Sequence, residues 1–344
     1  MKILIVGSNK SWAIERFFIR YLKELGAEVH LYAAPDLIFD RHTKNIFFKI
    51  LFKTKISTGY VAVNKGLMKT AEKLQPDVIW VFKGMEIFPS TLSTLGQRFK
   101  LANYNPDHPF IIASKGGGNQ NVRNSVGLYD LHFCYSLQLK HQIEQEFKIP
   151  AVFLPFGFDL SMADYQEAIG EPEILRVCFL GNPDGIREKC IAFIAENGFE
   201  IDVYGHGWDK TALQNKSNVR MDHAIYGLAF WKKLRAYRVQ LNIFREHNAG
   251  SHNMRSFEIP AVGGIQLAPY SEEQSAFFET GKEIFFYKSD EEMIRRIKEL
   301  LAEKPAFATE QRKAARNRSL DSDYSYKNRS ATVYAAFKNM IGID

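Results

Sequence analysis

The strongest constraint on this chain is a unit that its sequence repeats: a short apolar run, a glycine-bearing turn, an amphipathic stretch and a second apolar run. Residues Ile3 to Val6 lead into Gly7-Ser8-Asn9, and then into a stretch whose Ile14, Phe17, Phe18, Tyr21, Leu22 and Leu25 fall on one helical face. Gly26 closes it, and Val29 to Tyr32 is the next apolar run. Apolar residues at three- and four-residue spacing specify a helix, and glycine ends one because it accepts backbone conformations that other residues resist. Pro76 to Phe82 is the short apolar run that a parallel strand buried on both faces requires. Tyr129 to Tyr135 and Val152 to Pro155 read as later strands of the same sheet. A second alternation starts at Arg176 to Gly181 and runs through a helix with Ile191 and Ile194. It continues with strands at Ile201 to Tyr204, Leu241 to Phe244 and Ile265 to Ala268, then a helix from Glu291 to Leu301. Such a pattern predicts an α/β protein of two doubly wound, Rossmann-like domains whose parallel sheets face each other across a cleft.

With 344 residues, 46% of them hydrophobic, the chain has enough apolar surface for two cores. The expected domains are 1–157 and 173–310. Between them lies a linker at 158–172, centred on Gly170-Glu171-Pro172, and a helical tail at 311–344 packs back on the first domain. Lys and Arg total 45 against 39 Asp and Glu, a net +6 that suits an acidic ligand and is too mild to announce nucleic acid. From Arg41 to Lys73 there are eight basic residues and one acidic, mixed with Phe47, Phe48 and Phe52. This mixture fits peripheral contact with an anionic inner-membrane face, although a solvated helix with an ordinary core stripe is the commoner source of such a pattern. Cys134, Cys178 and Cys190 lack metal-ligand spacing and read as reduced, buried residues. KILIVGS after Met1 reads as a strand and not a signal peptide, and no run reaches the roughly 20 apolar residues of a spanning helix. A cytoplasmic protein is expected.

Open parallel sheets bind ligands beyond the carboxyl ends of their strands. After Leu180 come Gly181-Asn182-Pro183 with Arg187 and Lys189, where glycine would let a phosphate approach the backbone and the cations would neutralise it. An ordinary turn before a solvated helix explains the same residues. Gly205-His206-Gly207-Trp208 could set amides and an aromatic ring against a nucleobase. Arg245 to Gly250 precede the segment NMRSFEIPAVGG, in which Asn253 and Arg255 would hold phosphate oxygens and Glu258 a ribose diol. Pro260 argues against a helix interior, so the segment reads as a loop feeding a short helix start that Gly263 and Gly264 end, with both glycines as candidate nucleotide-sugar contacts. Asp107 and His108, in a proline-fixed turn, are candidates for a general base, or for turn caps. Asp321-Ser322-Asp323 has the DxD order of a metal site but lies in a polar, basic tail, so no metal and no cofactor is expected.

These residues resemble the bacterial glycosyltransferases similar to spore maturation protein CgeB, within the two-domain GT-B architecture. The likeness is carried by Tyr129-Asp130, Leu154-Pro155-Phe156-Gly157, Phe179 to Asn182 with Arg187, Val203 to Trp208, and Leu241-Asn242 through Asn253-Met254-Arg255 to Ala261. It implies transfer of a sugar from a nucleotide-diphosphate sugar, such as a UDP sugar, bound by the C-terminal domain. The acceptor, a glycan, a lipid-linked sugar or a protein of cell-envelope polysaccharide synthesis, would be held by the N-terminal domain. Retaining relatives carry two glutamates eight residues apart; Glu258 matches the second, but Gly250 stands at the first, so His247 or Asn248 would contact the transferred sugar. Arg255, with Arg187 or Lys189, would take the charge role that metal ions fill in other transferases. Two other classes share the architecture: a non-catalytic two-domain protein that binds a small ligand, and a nucleotide-sugar epimerase.

Overall fold

Strands that are apolar on both faces form two six-stranded sheets, and every pairing in both is parallel. The computed structural model describes residues 1–43, 58–111, 118–245 and 250–343. The basic, aromatic stretch from Phe47 to Lys55, and His247 and Asn248, lie outside the described residues. The first sheet comprises β1 (Lys2–Val6), β2 (Glu28–Tyr32), β3 (Val78–Phe82), β4 (Lys100–Asn105), β5 (Leu131–Cys134) and β6 (Ala151–Phe153), in the order β2-β1-β3-β4-β5-β6. The second comprises β7 (Ile174–Leu180), β8 (Ile201–Tyr204), β9 (Val219–Asp222), β10 (Tyr237–Leu241), β11 (Gln266–Pro269) and β12 (Phe285–Tyr287), in the order β12-β11-β10-β7-β8-β9. In each, the winding direction reverses beside the first strand, between β1 and β3 and between β7 and β10, which opens a crevice at the carboxyl ends. The fold is thus the expected pair of Rossmann-like domains. No helix among the described residues is long and apolar enough to cross a membrane.

The first unit is Met1–Pro155 with Tyr326–Asp344, and the second is Phe156–Ser325. The expected tail at 311–344 therefore divides. Helix Tyr326–Ile341 completes the first core: the Phe337 ring is fully buried, with its centroid 5.4 Å from Trp80 and 5.5 Å from Phe133, and Tyr326 stacks on Phe17 at 5.0 Å. Helix Pro305–Asp321 instead belongs to the second unit, where buried Arg312 donates to the carbonyls of Gly263 and Tyr237, each at 3.1 Å, and pairs with Glu173 at 2.9 Å. Its inward face is charged, so its apolar periodicity gave no sign of where it docks. The expected linker at 158–172 also needs correction. It holds helix Met162–Ile169, begun by Ser161, whose hydroxyl accepts from the Asp164 amide at 3.0 Å.

Strand β10 begins four residues before the expected Leu241, because two of its inward residues are polar. Arg238 is 1% exposed and bonds Glu173 at 2.5 Å, and buried Gln240 donates to the Lys233 carbonyl at 2.7 Å. Bonded in this way, both lie in the interior, yet a hydropathy pattern counts them as surface. Because Phe337 joins the first core from the far end of the chain, Phe337→Ala is expected to destabilise that unit by about 3–5 kcal/mol. Urea unfolding monitored by Trp80 fluorescence measures this.

Candidate functional site

At the second switch point the loops after β7 and β8 run in contact. A Cβ on Gly205 would stand 2.3 Å from the Gly181 carbonyl oxygen and 2.9 Å from the Trp208 ring nitrogen, and one on Gly181 would stand 2.8 Å from the Phe179 ring. Only glycine fits at either place. Trp208 Nε1 donates to the Gly181 carbonyl at 2.8 Å, and Asn182 Oδ1 accepts from the His206 amide at 2.9 Å. Trp208 is 1% exposed in the second core, which corrects the expectation that its ring meets a nucleobase. The His206 side chain is exposed, and Gly207, at φ +98, turns the chain beside it.

Three guanidinium groups converge on this switch point. Arg187 enters from helix Gly185–Glu196 and donates to the carbonyls of Asn182 at 2.9 Å and Ile243 at 3.4 Å, tying the loop after β7 to the loop after β10. Burial lowers its pKa to about 10, and the neighbouring charges of Arg245 and Arg255 push the same way against Asp184. Asp184 caps the helix start through the amides of Ile186 and Arg187, and its carboxylate lies 3.4 Å from Arg187 Nε and 3.9 Å from Arg245 Nε. Arg245 is 44% exposed and faces solvent. Arg255 lies with its guanidinium carbon 4.3 Å from the Phe230 ring centroid and forms an ion pair with Glu258 one turn along the same helix. Three cations thus share two carboxylates, Asp184 and Glu258. Lys189 does not join this group: it lines a neighbouring cavity of about 270 Å³ with Ile186, Ile243, Phe244, Tyr287 and Asp290.

Helix Arg255–Ala261 contains Pro260, which corrects the reading of this segment as loop. The helix is seven residues long and Pro260 stands in its last turn, so the ring removes a single backbone bond. Asn253 and the two glycines also differ from expectation. Asn253 Oδ1 accepts from the Ser256 amide at 3.2 Å and its Nδ2 donates to Asn242 at 2.7 Å, so both ends of the carboxamide hold the helix start in place. Gly263, at φ +73, closes the helix, and its Cβ would stand 3.0 Å from the Arg312 carbonyl; a Cβ on Gly264 would stand 2.7 Å from the Leu234 carbonyl. Both are buried packing positions rather than phosphate contacts.

Asp107 and His108 follow β4 and lie in the first unit. Asp107 forms an ion pair with Lys83, a residue held at φ +55 just after β3. His108 is 9% exposed, and its Nδ1 accepts from the Phe110 amide at 3.3 Å, which puts the ring proton on Nε2. Two carboxyls here escaped the sequence reading. Glu15 is buried beneath Gly7 and accepts from the Ser8 amide at 2.8 Å, and half-buried Glu86 shares the field of Lys83 and Asp36. Burial raises the pKa of both. The rule that pointed to the residues after β7 and β10 applies equally after β1 and β3 and would have found them.

Residues 187–335 match a family described as glycosyl transferase-like. The match takes in most of the second unit and the start of helix Tyr326–Ile341. No curated protein matches the chain in sequence. Among solved structures, sucrose-phosphate synthase from Thermosynechococcus elongatus is similar with a TM-score of 0.73 at 12% identity, over 99% of this chain and 99% of that one. HepE from Anabaena, in complex with UDP and glucose, gives 0.66 at 16% identity over 98% and 100%. A UDP-GlcNAc 2-epimerase from Neisseria meningitidis, bound to UDP-GlcNAc, gives 0.58 at 13% identity over 98% and 100%. At such identities the likeness speaks for the architecture, and the match over 187–335 speaks for glycosyl transfer. The glycosyl transferase-like unit is expected to need Gly205 for packing. Gly205→Ala should lower its stability by about 1–3 kcal/mol or more in urea titration, whereas a glycine serving a ligand alone would leave stability at the wild-type value.

Proposed function

We propose that this protein is a glycosyltransferase that takes a sugar from a nucleotide-diphosphate donor held by the second unit and passes it to an acceptor held by the first. The observation that carries this reading is the convergence of Arg187, Arg245 and Arg255 at the β7–β10 switch point. A diphosphate gains negative charge as its glycosidic bond breaks, and cations fixed beforehand stabilise that charge without reorganising. Arg187 is committed to two backbone carbonyls, so it acts as a fixed background charge. Arg245 and Arg255 are the groups placed to meet phosphate oxygens. Glu258 would exchange its ion pair with Arg255 for the ribose hydroxyls, which frees the guanidinium for the diphosphate. The half-apolar cavity beside Ile243 and Phe244, rimmed by Lys189, is a candidate seat for the base. UDP is the first nucleotide to test, since the HepE structure holds it.

On the first unit, Asp107 or His108 would accept the proton of the attacking hydroxyl, with Lys83 orienting Asp107. The finer assignments belong to the same proposal: the likeness to CgeB-type transferases, an acceptor from cell-envelope polysaccharide, glycolipid or glycoprotein synthesis, transfer without a metal ion, and work at the inner face of a membrane. A nucleotide-sugar epimerase would turn over donor alone to an isomeric nucleotide sugar, and a binding protein would turn over nothing; product analysis with and without acceptor separates the three.

Calorimetry tests the ribose assignment. Glu258→Ala is expected to weaken UDP binding by about tenfold, roughly 1.4 kcal/mol, while circular dichroism stays unchanged; wild-type affinity would remove Glu258 from the site. Arg255→Lys keeps the charge but loses the two-pronged grip on phosphate oxygens. It should lower kcat by about 10²-fold, roughly 2.7 kcal/mol, with a smaller effect on UDP affinity. A wild-type rate in steady-state kinetics would end the clamp assignment.

A further inference from the structure

We propose that His252 is a positioning residue, which fixes the point where the chain enters the second unit to the helix carrying Arg255 and Glu258. This inference rests on the nucleotide reading above. His252 has no exposed surface. Its Nδ1–H donates to Glu273 Oε1 at 2.6 Å, and its Nε2 accepts from the Phe156 amide at 3.3 Å. Ser251 donates to the same Glu273 oxygen at 2.6 Å, and the Ser271 hydroxyl holds the Ser251 carbonyl at 2.6 Å. One ring edge thus needs a proton and the other needs a lone pair, a combination that neutral imidazole supplies within a flat apolar body. Phenylalanine or leucine could fill the volume, but each would take a donor from the Glu273 carboxylate and an acceptor from the Phe156 amide.

Phe156 is the first residue of the second unit, and Ser325 is its last. Both passages of the chain reach the same aromatic cluster. The His252 ring packs edge-on against Phe257 at 5.3 Å and against Phe156 at 5.6 Å. Tyr324, one residue before the second passage, packs against Phe257 at 5.2 Å and donates its hydroxyl to the Phe277 carbonyl at 2.7 Å. The passages are also bonded to each other, Phe158 N–H to the Tyr324 carbonyl at 3.2 Å. Phe257 stands between Arg255 and Glu258 on one short helix and is fully buried. A nucleotide that separates the Arg255–Glu258 pair therefore pushes on a helix whose buried face is locked, through Phe257 and His252, to both passages. Side chains this tightly packed move together or not at all.

The test uses the full-length protein and two substitutions that divide the bonds of the ring. His252→Asn keeps a donor toward Glu273 and loses the acceptor for the Phe156 amide, whereas His252→Gln reaches toward that amide with its carbonyl. UDP, GDP, ADP and dTDP are tried in turn by calorimetry, and hydrogen–deuterium exchange is then followed with the one that binds. In the wild type the nucleotide should slow exchange of the Phe156 and Phe158 amides by about fivefold or more. His252→Asn should bind it within about threefold of wild type and lose that response, and His252→Gln should recover it. Tyr324→Phe, which removes one hydroxyl from the second passage, should weaken the response and serves where His252→Asn does not fold. Failure of the wild type to bind any of the four overturns the nucleotide reading itself. Binding without slower exchange, or a wild-type response in His252→Asn, overturns the role of His252 alone, as does equal loss of binding and stability in the Asn and Gln variants.

Discussion

The second unit depends on one carboxylate. Glu173, just before β7, receives Arg238 from β10 and Arg312 from helix Pro305–Asp321, and Arg312 goes on to the Gly263 carbonyl at the end of the helix that carries Arg255. Burial alone would raise the Glu173 carboxyl, but the two guanidiniums outweigh it and bring its pKa down to about 2. Arg238 and Arg312 are 1% and 5% exposed, so neither has water to fall back on if Glu173 is lost. Removing one partner from a buried pair costs about 3–5 kcal/mol, because the charge left behind has no compensation. This network pins the amino ends of β7 and β10 together and ties helix Pro305–Asp321 to them.

Internal pairing leaves the arginine cluster with a single net positive charge. Asp184 lies between Arg187 and Arg245, and Glu258 holds Arg255. Such pairs keep three guanidiniums in one small volume without the mutual repulsion that would otherwise unfold the loops around them. In the proposed function, a diphosphate would bring the charge for Arg255 and Arg245 to share, and a ribose would offer Glu258 hydroxyls in exchange.

The neighbouring glycines serve packing. Gly181 and Gly205 let two loops cross in contact beneath the arginines, and Gly263 lets helix Pro305–Asp321 lie against the turn after Ala261. A phosphate loop and a close backbone crossing ask the same thing of a sequence, the absence of a Cβ. The letter G cannot tell them apart.

By itself the sequence determined the pair of Rossmann-like domains. Runs such as Val78–Phe82 and Val177–Leu180 are apolar on every residue, and only a parallel sheet covered on both faces buries them. It also directed attention to the carboxyl ends of the strands, since that follows from strand direction alone, and Arg187, Arg245, Arg255 and Glu258 lie together beside the end of β7 and β10. Tertiary structure decided which polar residues are spent on the fold. Arg238, Arg312 and Gln240 look like surface in a hydropathy pattern, and Asn253 looks like a phosphate ligand. Each is instead bonded inside the fold: Arg312 reaches Glu173 across 139 positions and Arg238 reaches it across 65, while Gln240 holds the Lys233 carbonyl and Asn253 holds Asn242 and the Ser256 amide. Tertiary structure also split the tail, keeping Phe337 in the first core but giving helix Pro305–Asp321 to the second unit, and it sent Trp208 into the second core. A side chain's partners depend on which strands lie side by side, and spacing along the chain carries no record of that.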